Sequence, residues 1–397
     1  MVKTKQQEGI TMINITGYEV LGKLPDPFLF RDGSRVKNMS DWEKRRQEID
    51  EDVRQFQFGS MPPEPEFLEV IATHTSANND FPTYQIVTGR RACPVRFNIY
   101  ISLPEGCAKK QAYPVAIDGD LCYLPLHRHE QNTKPFPDNG VAFVKFNRCE
   151  LVYDNHRGQP RTAGFEGPLY DCYPDAHFSC IAGWAWGYHR VVDALEKLGF
   201  WEAGKPLAFT GCSRGAKTAL LAGLTDQRAT IINPVETCAC GASCYRVHMT
   251  AICSDGNPAR SETLHDQWNN YGSWLGDGMG QYADDEASLP FDAHTLLSLA
   301  APRMLLIGNA EDDIWGNPLG AYQTAIATRE VYDLYGQPEK IAWYWRKGVH
   351  GHEAVDFETL LQVMLHEMNG SPMPERLYKL PFDAPEAIYD WKCPTKD

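Results

Sequence analysis

The sequence predicts an α/β protein, a three-layer sandwich in which helices cover both faces of a mostly parallel central sheet. Two observations predict this class. From Pro114 onward, short apolar runs alternate with helical patterns, which is typical of buried parallel strands joined by helices. A Gly-x-Ser-x-Gly pentapeptide, residues 211–215, lies where one such run meets one such helix. An N-terminal extension precedes this unit.

The runs that predict the parallel strands are short and almost wholly apolar. Between them, a helical spacing of apolar residues extends from Trp186 to Leu198 and ends before Gly199. A second helix is predicted from the pentapeptide to about Ala222, and a third over about 354–368. The six runs that predict strands are 115–117, 141–144, 207–209, 230–232, 304–307 and 341–345.

The remaining segments predict how the chain is divided. Ser40 and Glu43 form a capping box that opens a charged helix running to about Gln55. Residues 66–103 alternate apolar and polar, as antiparallel strands do. Residues 238–290 are rich in Gly, Asn, Asp, Trp and Ser, which predicts a long irregular insertion. We therefore expect an extension that packs on the core, a main α/β domain and a C-terminal tail, over 1–65, 66–380 and 381–397.

Composition and charge exclude several classes of protein. Of 397 residues, 43% are hydrophobic and 23% are charged, so the chain is neither disordered nor fibrous. The net charge is −14, and its field repels nucleic acids and anionic membranes, so we expect neither as a partner. No apolar run is long enough to span a bilayer. The N-terminus lacks the apolar stretch of a signal peptide, which favours a cytoplasmic location, or a secreted one if a signal was trimmed.

The twelve cysteines favour reduced thiols over a metal site or a disulfide framework. Cys238, Cys240 and Cys244 cluster and could be read as metal ligands. Structural zinc sites usually take a second pair of ligands at a similar spacing, and the sequence offers no such pair. We therefore expect half-buried thiols, no metal and no cofactor.

The pentapeptide Gly211-Cys212-Ser213-Arg214-Gly215 has the pattern of a nucleophile elbow. The sharp turn between strand and helix presents the serine hydroxyl above the helix N-terminus, where backbone N–H groups can bind an oxyanion. An ordinary serine in a tight glycine turn is the alternative reading. Between a strand and a helix, the pattern predicts the α/β-hydrolase fold with Ser213 as nucleophile.

A serine nucleophile needs an orienting acid and a histidine base, which follow it along the chain in that order in this fold. His350, in the loop after the last predicted strand, is the favoured base because nearby glycines allow a tight loop, and His352 is its competitor. Glu236 and Asp313 are both candidate acids, since each lies just past the C-terminal end of a predicted strand. Ordinary loop carboxylates are the alternative reading of both.

Two cations, Arg214 and Lys217, begin the helix after Ser213, where a positive charge opposes the helix dipole. Their spacing of three residues places them on one helix face beside the nucleophile. They indicate an anionic or hydroxyl-rich ligand, or stabilisation of an oxyanion. Two solvated helix cations are the alternative reading.

Several segments of the chain occur together in one known family. They are Gly-Cys-Ser213-Arg with Lys217 four residues after the serine, Pro-Val-Glu236 placed 23 residues after it, Ala-Gly-Trp-Ala-Trp-Gly at 182–187, Ala-Pro-Arg at 301–303, and Asp313-Ile-Trp315. With these segments the chain resembles the glucuronoyl esterases, carbohydrate esterase family 15, over roughly residues 20–370. The combination is far more specific than the elbow pattern alone.

The resemblance implies a serine carboxylesterase that cleaves 4-O-methyl-glucuronoyl esters linking xylan to lignin alcohols. Its implied partner is a glucuronate ester or a glucuronoxylan fragment. The implied roles are Ser213 as nucleophile, His350 as base, Glu236 as acid with Asp313 as the alternative or second acid, Arg214 stabilising the oxyanion, Lys217 contacting sugar hydroxyls, and Trp315 lining the sugar site.

The chain departs from the family pattern at three places. It has Ala216 where the family commonly has Gly, and Thr237-Cys-Ala-Cys240 where the family has small residues such as Ser and Gly after the acid. Secreted fungal members tie the cysteine before the nucleophile to one beside the catalytic histidine, and this sequence has no cysteine near His350. Alternative functions are an acetyl or feruloyl esterase on plant polysaccharide, and a non-catalytic carbohydrate-binding protein on the same scaffold.

Overall fold

The computed structural model of the protein describes residues 12–73, 82–104, 111–122 and 126–394, without the side chains of 126–129. Within these residues the strands belong to one large and one small sheet. In chain order they are β1 Asn14–Val20, β2 Phe67–Thr73, β3 Thr83–Arg90, β4 Cys93–Ser102, β5 Val115–Asp118, β6 Ala142–Phe146, β7 Leu207–Cys212, β8 Ile231–Val235, β9 Val247–Ile252, β10 Pro258–Arg260, β11 Met304–Ala310 and β12 Ile341–Arg346.

The large sheet has the strand order β12-β11-β8-β7-β5-β6-β4-β3-β2. Its first six strands pair in parallel, and β4, β3 and β2 complete it as antiparallel strands. Both predictions of strand type are therefore confirmed. Each of the six predicted parallel strands extends further at its C-terminal end than its apolar run. Those extra residues lie at the edge of the sheet where the candidate site residues follow.

Helices cover both faces of this sheet, as predicted. Alternate residues of β7 pack in opposite directions, with Leu207 and Phe209 in one core cluster and Ala208 in the other. The helices are α1 Met39–Ile49, α2 Gln55–Phe58, α3 Leu126–Thr133, α4 Pro135–Asp138, α5 Pro168–Cys172, α6 Cys180–Leu198, α7 Arg214–Thr225, α8 Leu264–Tyr271, α9 Ala293–Leu297, α10 Pro318–Tyr335 and α11 Ala354–Asn369. Helices α6, α7 and α10 pack on one face of the sheet, and α11 packs on the other.

The predicted C-terminal end of α6 agrees with the structure, whereas the predicted start of α1 does not. Helix α6 ends at Leu198, and Gly199 takes the left-handed conformation with φ 73°. Helix α1, in contrast, does not begin with a capping box at Ser40. The side chain of Asn38 accepts the Asp41 N–H at 3.0 Å, because the extended backbone of Asn38 brings its amide oxygen over the first turn. A π-helix then joins α1 to α2, so the helical segment continues past Gln55.

The insertion over 238–290 is more regular than predicted. Strand β9 pairs antiparallel with β1 on one side and with β10 on the other, which forms the small sheet. Helix α8 begins with a capping box formed by Thr263 and Asp266. The prediction of an irregular insertion is therefore wrong for these elements. Strand β9 was missed because its partner β1 lies more than two hundred residues away. The proposed division into extension, main domain and tail stays a prediction.

Among the described residues, no helix is both long and apolar enough to cross a bilayer.

Candidate active site

Ser213 lies in a sharp turn between β7 and α7. Its backbone has φ 59° and ψ −120°, a conformation that is strained for a residue with a side chain. The glycines of the pentapeptide permit this turn. A Cβ atom on Gly211 would lie 2.6 Å from the carbonyl oxygen of Gly215, and one on Gly215 would overlap the carboxylate of Asp120. The turn therefore has the geometry that the elbow pattern predicts, with the serine partly exposed.

Asp120 packs against the backbone of the elbow and was not among the predicted site residues. Its Oδ2 accepts the backbone N–H of Cys212 at 2.7 Å, and its other oxygen pairs with the buried guanidinium of Arg148. Burial raises the pKa of Asp120, while Arg148 opposes that shift. The available signal was its place in Asp118-Gly-Asp120, directly after a predicted strand.

The sheet brings the four predicted residues of a triad to one edge. Ser213, Glu236, Asp313 and His350 follow β7, β8, β11 and β12, which are neighbours in the sheet, and each residue lies past a C-terminal strand end. His350 Nδ1 is 2.7 Å from Asp313 Oδ2 and 3.1 Å from Glu236 Oε2. Both candidate acids therefore contact the same nitrogen.

The two acids have different surroundings. Glu236 is fully buried, and its Oε1 accepts a hydrogen bond from Arg346 at 2.6 Å. Its Oε2 also accepts the Gly351 N–H at 2.6 Å, which fixes the loop that carries His350. Burial and the charge of Asp313 raise the pKa of Glu236. Asp313, in contrast, has His350 as its ion-pair partner.

The environment of His350 stabilises its protonated form. Burial opposes a charge on the ring, but the hydrogen bonds to Asp313 and Glu236 outweigh burial and raise the pKa of His350. The side chain is 42% exposed, so it can meet a ligand. A ring nitrogen also lies within 4.8 Å of the sulfur of Cys212, the residue before Ser213. With Nδ1 facing the acids, Nε2 is the nitrogen that can accept a proton.

The competing histidine occupies a different environment. The His352 side chain is only 5% exposed, its Nδ1 is 3.7 Å from Asp118 Oδ2, and its ring stacks on Phe357 with centroids 4.0 Å apart. Burial raises the pKa of Asp118 to about 8. These contacts favour His350 over His352 as the base, because His350 is the histidine that contacts both candidate acids.

Both helix cations contact protein partners, so the alternative reading of two solvated cations is wrong. The Arg214 side chain is 22% exposed, and its Nη1 is 2.9 Å from Asp154 Oδ1. Its guanidinium also lies over the rings of Trp274 and Tyr271, at 4.5 and 5.0 Å. The Lys217 side chain is only 3% exposed, and its Nζ donates to the carbonyl oxygen of Thr237.

Lys217 and Trp315 meet at a third residue, Glu262, which sequence reasoning missed. The Nζ of Lys217 is 4.0 Å from Glu262 Oε2, and the backbone N–H of Glu262 donates to the carbonyl oxygen of Trp315 at 3.0 Å. The Arg260 guanidinium lies over the Trp315 ring, 5.3 Å from a ring centroid. Glu262 was missed because it lies in the insertion that was expected to be irregular.

Comparisons with known proteins give the family. Residues 87–336 match the family model described as "Glucuronyl esterase, fungi". The chain belongs to the glucuronoyl esterase family. It is 30% identical to the 4-O-methyl-glucuronoyl methylesterase of Schizophyllum commune over 351 residues, which are 87% of this chain and 81% of that protein. It is 29% identical to 4-O-methyl-glucuronoyl methylesterase 1 of Wolfiporia cocos, with 83% and 76% covered.

Solved structures of glucuronoyl esterases share the fold. The carbohydrate esterase family 15 glucuronoyl esterase of Caldicellulosiruptor kristjansonii superposes with a TM-score of 0.79 at 26% identity, covering 99% of this chain and all of that one. The catalytic domain of the Hypocrea jecorina enzyme gives 0.74 at 24% identity, with 98% and 99% covered. The predicted fold class is confirmed, and this member of the glucuronoyl esterase family is a carboxylic ester hydrolase. Its relatives give no support to the cytoplasmic location expected from the sequence.

Proposed function

We propose that this glucuronoyl esterase family member hydrolyses 4-O-methyl-glucuronoyl esters, such as those between glucuronoxylan and lignin alcohols, with Ser213 as its nucleophile. The observation that carries the proposal is the contact of His350 Nδ1 with two carboxylates at the sheet edge where the elbow presents Ser213. The named activity of the Schizophyllum commune relative supports the choice of substrate.

The reaction proceeds through an acyl-enzyme. Ser213 Oγ attacks the ester carbonyl while His350 Nε2 accepts its proton, and the Nδ1 side of the ring faces Asp313 and Glu236. The backbone N–H groups at the start of α7 bind the oxyanion of the tetrahedral intermediate, and Arg214 adds a positive charge. The imidazolium then protonates the departing alcohol. Water hydrolyses the acyl-enzyme through the same steps and releases the uronic acid.

Both acids orient His350, but they contact it differently. Asp313, at 2.7 Å, is the nearer acceptor for the Nδ1 proton. Glu236 contacts the same nitrogen at 3.1 Å and also holds the loop through the Gly351 N–H. Arg346 forms an ion pair with Glu236 and offsets part of its negative charge. Asp313 is therefore the stronger partner of the imidazolium.

The sugar ring of the substrate binds beside Lys217, Glu262 and Trp315. Lys217 is desolvated and has hydrogen-bond donors, Glu262 has acceptor oxygens, and Trp315 offers a partly exposed aromatic side chain. Such a set suits a ring that carries several hydroxyl groups. An acetyl group has no hydroxyls to contact this set, so it would gain nothing from these residues on binding.

The proposal is tested with a panel of benzyl glucuronate, its 4-O-methyl form, p-nitrophenyl acetate and a feruloyl ester. We expect kcat/KM for the glucuronates to exceed that for the acetate by at least about 10²-fold. Lys217→Met should raise KM for the glucuronates and leave acetate hydrolysis unchanged, because acetate has no hydroxyls for Lys217 to bind. Preference for the acetyl or feruloyl ester would replace the proposed substrate. Binding of glucuronate without hydrolysis of any ester would indicate the non-catalytic alternative.

A further inference from the structure

Two cysteine thiols lie close to His350. Among the described residues, Cys238 Sγ, an Asp313 carboxylate oxygen and a His350 ring nitrogen are all within 4.8 Å of one another. Cys212, Glu236 and His350 form a second such group. We infer that Cys238, Asp313 and His350 form a binding site for a thiophilic divalent cation, such as Zn²⁺ or Cd²⁺, and that the bound cation inhibits the enzyme.

The donor atoms of the first group suit such a cation. Thiolate, imidazole and carboxylate are the three ligand types that zinc takes in proteins, at about 2.0 to 2.3 Å from the metal. Ligand atoms within 4.8 Å of one another can therefore surround one ion after small movements. Three protein ligands leave the fourth tetrahedral position to water. Cys238 and Asp313 are 3% and 5% exposed, and the 42% exposed His350 leaves a way in for the ion.

The backbone holds Cys238 in this position by an unusual turn. Glu236, Cys238 and Cys240 all have positive φ, at 53°, 56° and 60°, although none of them is glycine. Strained conformations of this kind persist where the surrounding structure enforces them, and they cluster at functional sites.

The charges favour the first group over the second. Glu236 Oε1 already pairs with Arg346 at 2.6 Å, and that guanidinium would repel a cation bound at Glu236. Asp313 has its ion pair with His350 itself, which becomes a neutral ligand when the metal binds. We therefore assign the ion to Cys238, Asp313 and His350, and we use Cys212 as a comparison.

Binding would block the proposed base. The Cys238 thiol releases its proton to solvent and binds as thiolate, and the metal takes the His350 nitrogen that faces Asp313, which is Nδ1. The single proton of the neutral ring is then on Nε2, so Nε2 cannot accept the proton of Ser213. The inhibition depends on the function proposed above, whereas metal binding does not.

The binding is tested by titrating the full chain with Cd²⁺ and following the ultraviolet absorption of the cadmium–thiolate bond. Cys240→Ser is the matched control, because Cys240 is a buried cysteine with positive φ in the same turn but belongs to neither group. We expect Cys238→Ser to weaken the tightest site by at least about 10- to 100-fold, because loss of a group that only supports a metal ligand already costs that much. Cys240→Ser should bind like wild type, and Cys212→Ser should lose less affinity than Cys238→Ser.

The inhibition is tested with Zn²⁺ on benzyl glucuronate hydrolysis, with each variant compared to its own rate without metal. Zn²⁺ should inhibit wild type and Cys240→Ser, a chelator should restore the rate, and Mg²⁺ should have no effect because it prefers oxygen ligands. Equal Cd²⁺ affinity in wild type, Cys238→Ser and Cys238→Ala would overturn the site. Tight binding through Cys238 without inhibition would overturn the inhibitory step and count against His350 as base. If the protein hydrolyses no ester, the titration still tests the metal site.

Discussion

His350 is the base on which the proposed chemistry depends, and it has two carboxylate partners. A histidine base needs one acceptor on Nδ1 to fix its tautomer and to stabilise the imidazolium. Here Asp313 and Glu236 both lie within 3.1 Å of that nitrogen. Loss of one acid therefore leaves a second in place, which predicts redundancy between them.

Substitution of the acids tests that redundancy. We expect Asp313→Asn and Glu236→Gln each to lower kcat for benzyl glucuronate far less than the double variant, because the remaining carboxylate still orients the ring, with the larger loss in Asp313→Asn. The double variant should lose about 10⁴-fold, the loss seen when a triad histidine is left in the wrong tautomer. Steady-state kinetics of the four proteins measure this. A single variant as inactive as the double variant would identify that acid as the sole orienting group.

The pH dependence of the rate follows from the raised pKa of His350. The base acts as neutral imidazole, so kcat/KM should rise with pH as His350 loses its proton. Because the His350 pKa is raised, the midpoint of this rise should lie above the ordinary imidazole pKa of about 6.5. Asp313→Asn removes a negative charge beside the ring, which disfavours the imidazolium. The acidic limb of the profile should therefore move to lower pH in this variant. A limb that stays in place, after correction for spontaneous ester hydrolysis, would show that Asp313 does not set the His350 pKa.

The sequence was sufficient to nominate these residues but not to rank them. Ser213, His350, Glu236 and Asp313 each follow a predicted strand, and parallel strands present their C-terminal ends at one edge of a sheet. Which acid approaches Nδ1 depends on loop conformations that the local sequence does not determine. Arg346 was missed for a similar reason. It ends β12 as one more strand residue, and its bond to Glu236 spans 110 positions of the chain.

At the scale of elements, the junction of β7 and α7 depends on a close approach to the loop after β5. The Asp120 carboxylate occupies the space where a Gly215 side chain would lie, and it accepts the Cys212 N–H at 2.7 Å. Glycine at 215 is therefore required by packing, and the conformation of Ser213 depends on that packing.

A Gly215→Ala substitution tests this junction. Its Cβ would overlap a buried carboxylate, so we expect a loss of about 1 to 3 kcal/mol in the free energy of unfolding, as for other overpacked sites. Esterase activity should fall as well, because the elbow must shift. Gly272→Ala is the control, since its Cβ would make only ordinary contacts, at 3.5 Å or more, with a helical φ of −56°. Equal urea-unfolding energies for the two variants would contradict this account of the elbow.

Element boundaries were predictable where one local signal dominated. Gly199 ends α6 as expected, because glycine adopts the left-handed conformation of a helix C-terminus more easily than other residues. The start of α1 was misplaced because Asn38 and Ser40 are both good caps only two positions apart. Their competition is decided by the extended conformation at Asn38, whose side chain caps the first turn.

At the scale of the molecule, distant segments complete both the fold and the site. The small sheet joins β1 to β9 across more than two hundred residues, and the insertion supplies Glu262 and the rings of Tyr271 and Trp274 that contact Arg214. Such pairings leave no periodic signal in either segment alone. This is why the sequence predicted the parallel sheet well and predicted the insertion poorly.

The C-terminal tail is integrated into the same core. Trp391 is only 8% exposed, its indole donates to the carbonyl oxygen of Leu24 at 2.8 Å, and its ring stacks with Tyr389 and His294. We expect Trp391→Ala to lower the free energy of unfolding by about 3 to 5 kcal/mol, the usual cost of removing a large buried aromatic ring. Exposed Lys392→Ala should change it by less than about 0.5 kcal/mol. Similar urea midpoints for both variants would show that the tail is not part of the cooperative fold.

The central claim is that Ser213 cleaves glucuronate esters, and one comparison tests it most directly. The kcat/KM of wild type and of Ser213→Ala is measured on benzyl glucuronate, with matched thermal unfolding curves as the control for folding. We predict efficient hydrolysis by wild type and a loss of about 10⁶-fold in the variant, as for removal of other serine nucleophiles. A Ser213→Ala protein that keeps more than about a tenth of the wild-type rate would contradict the account.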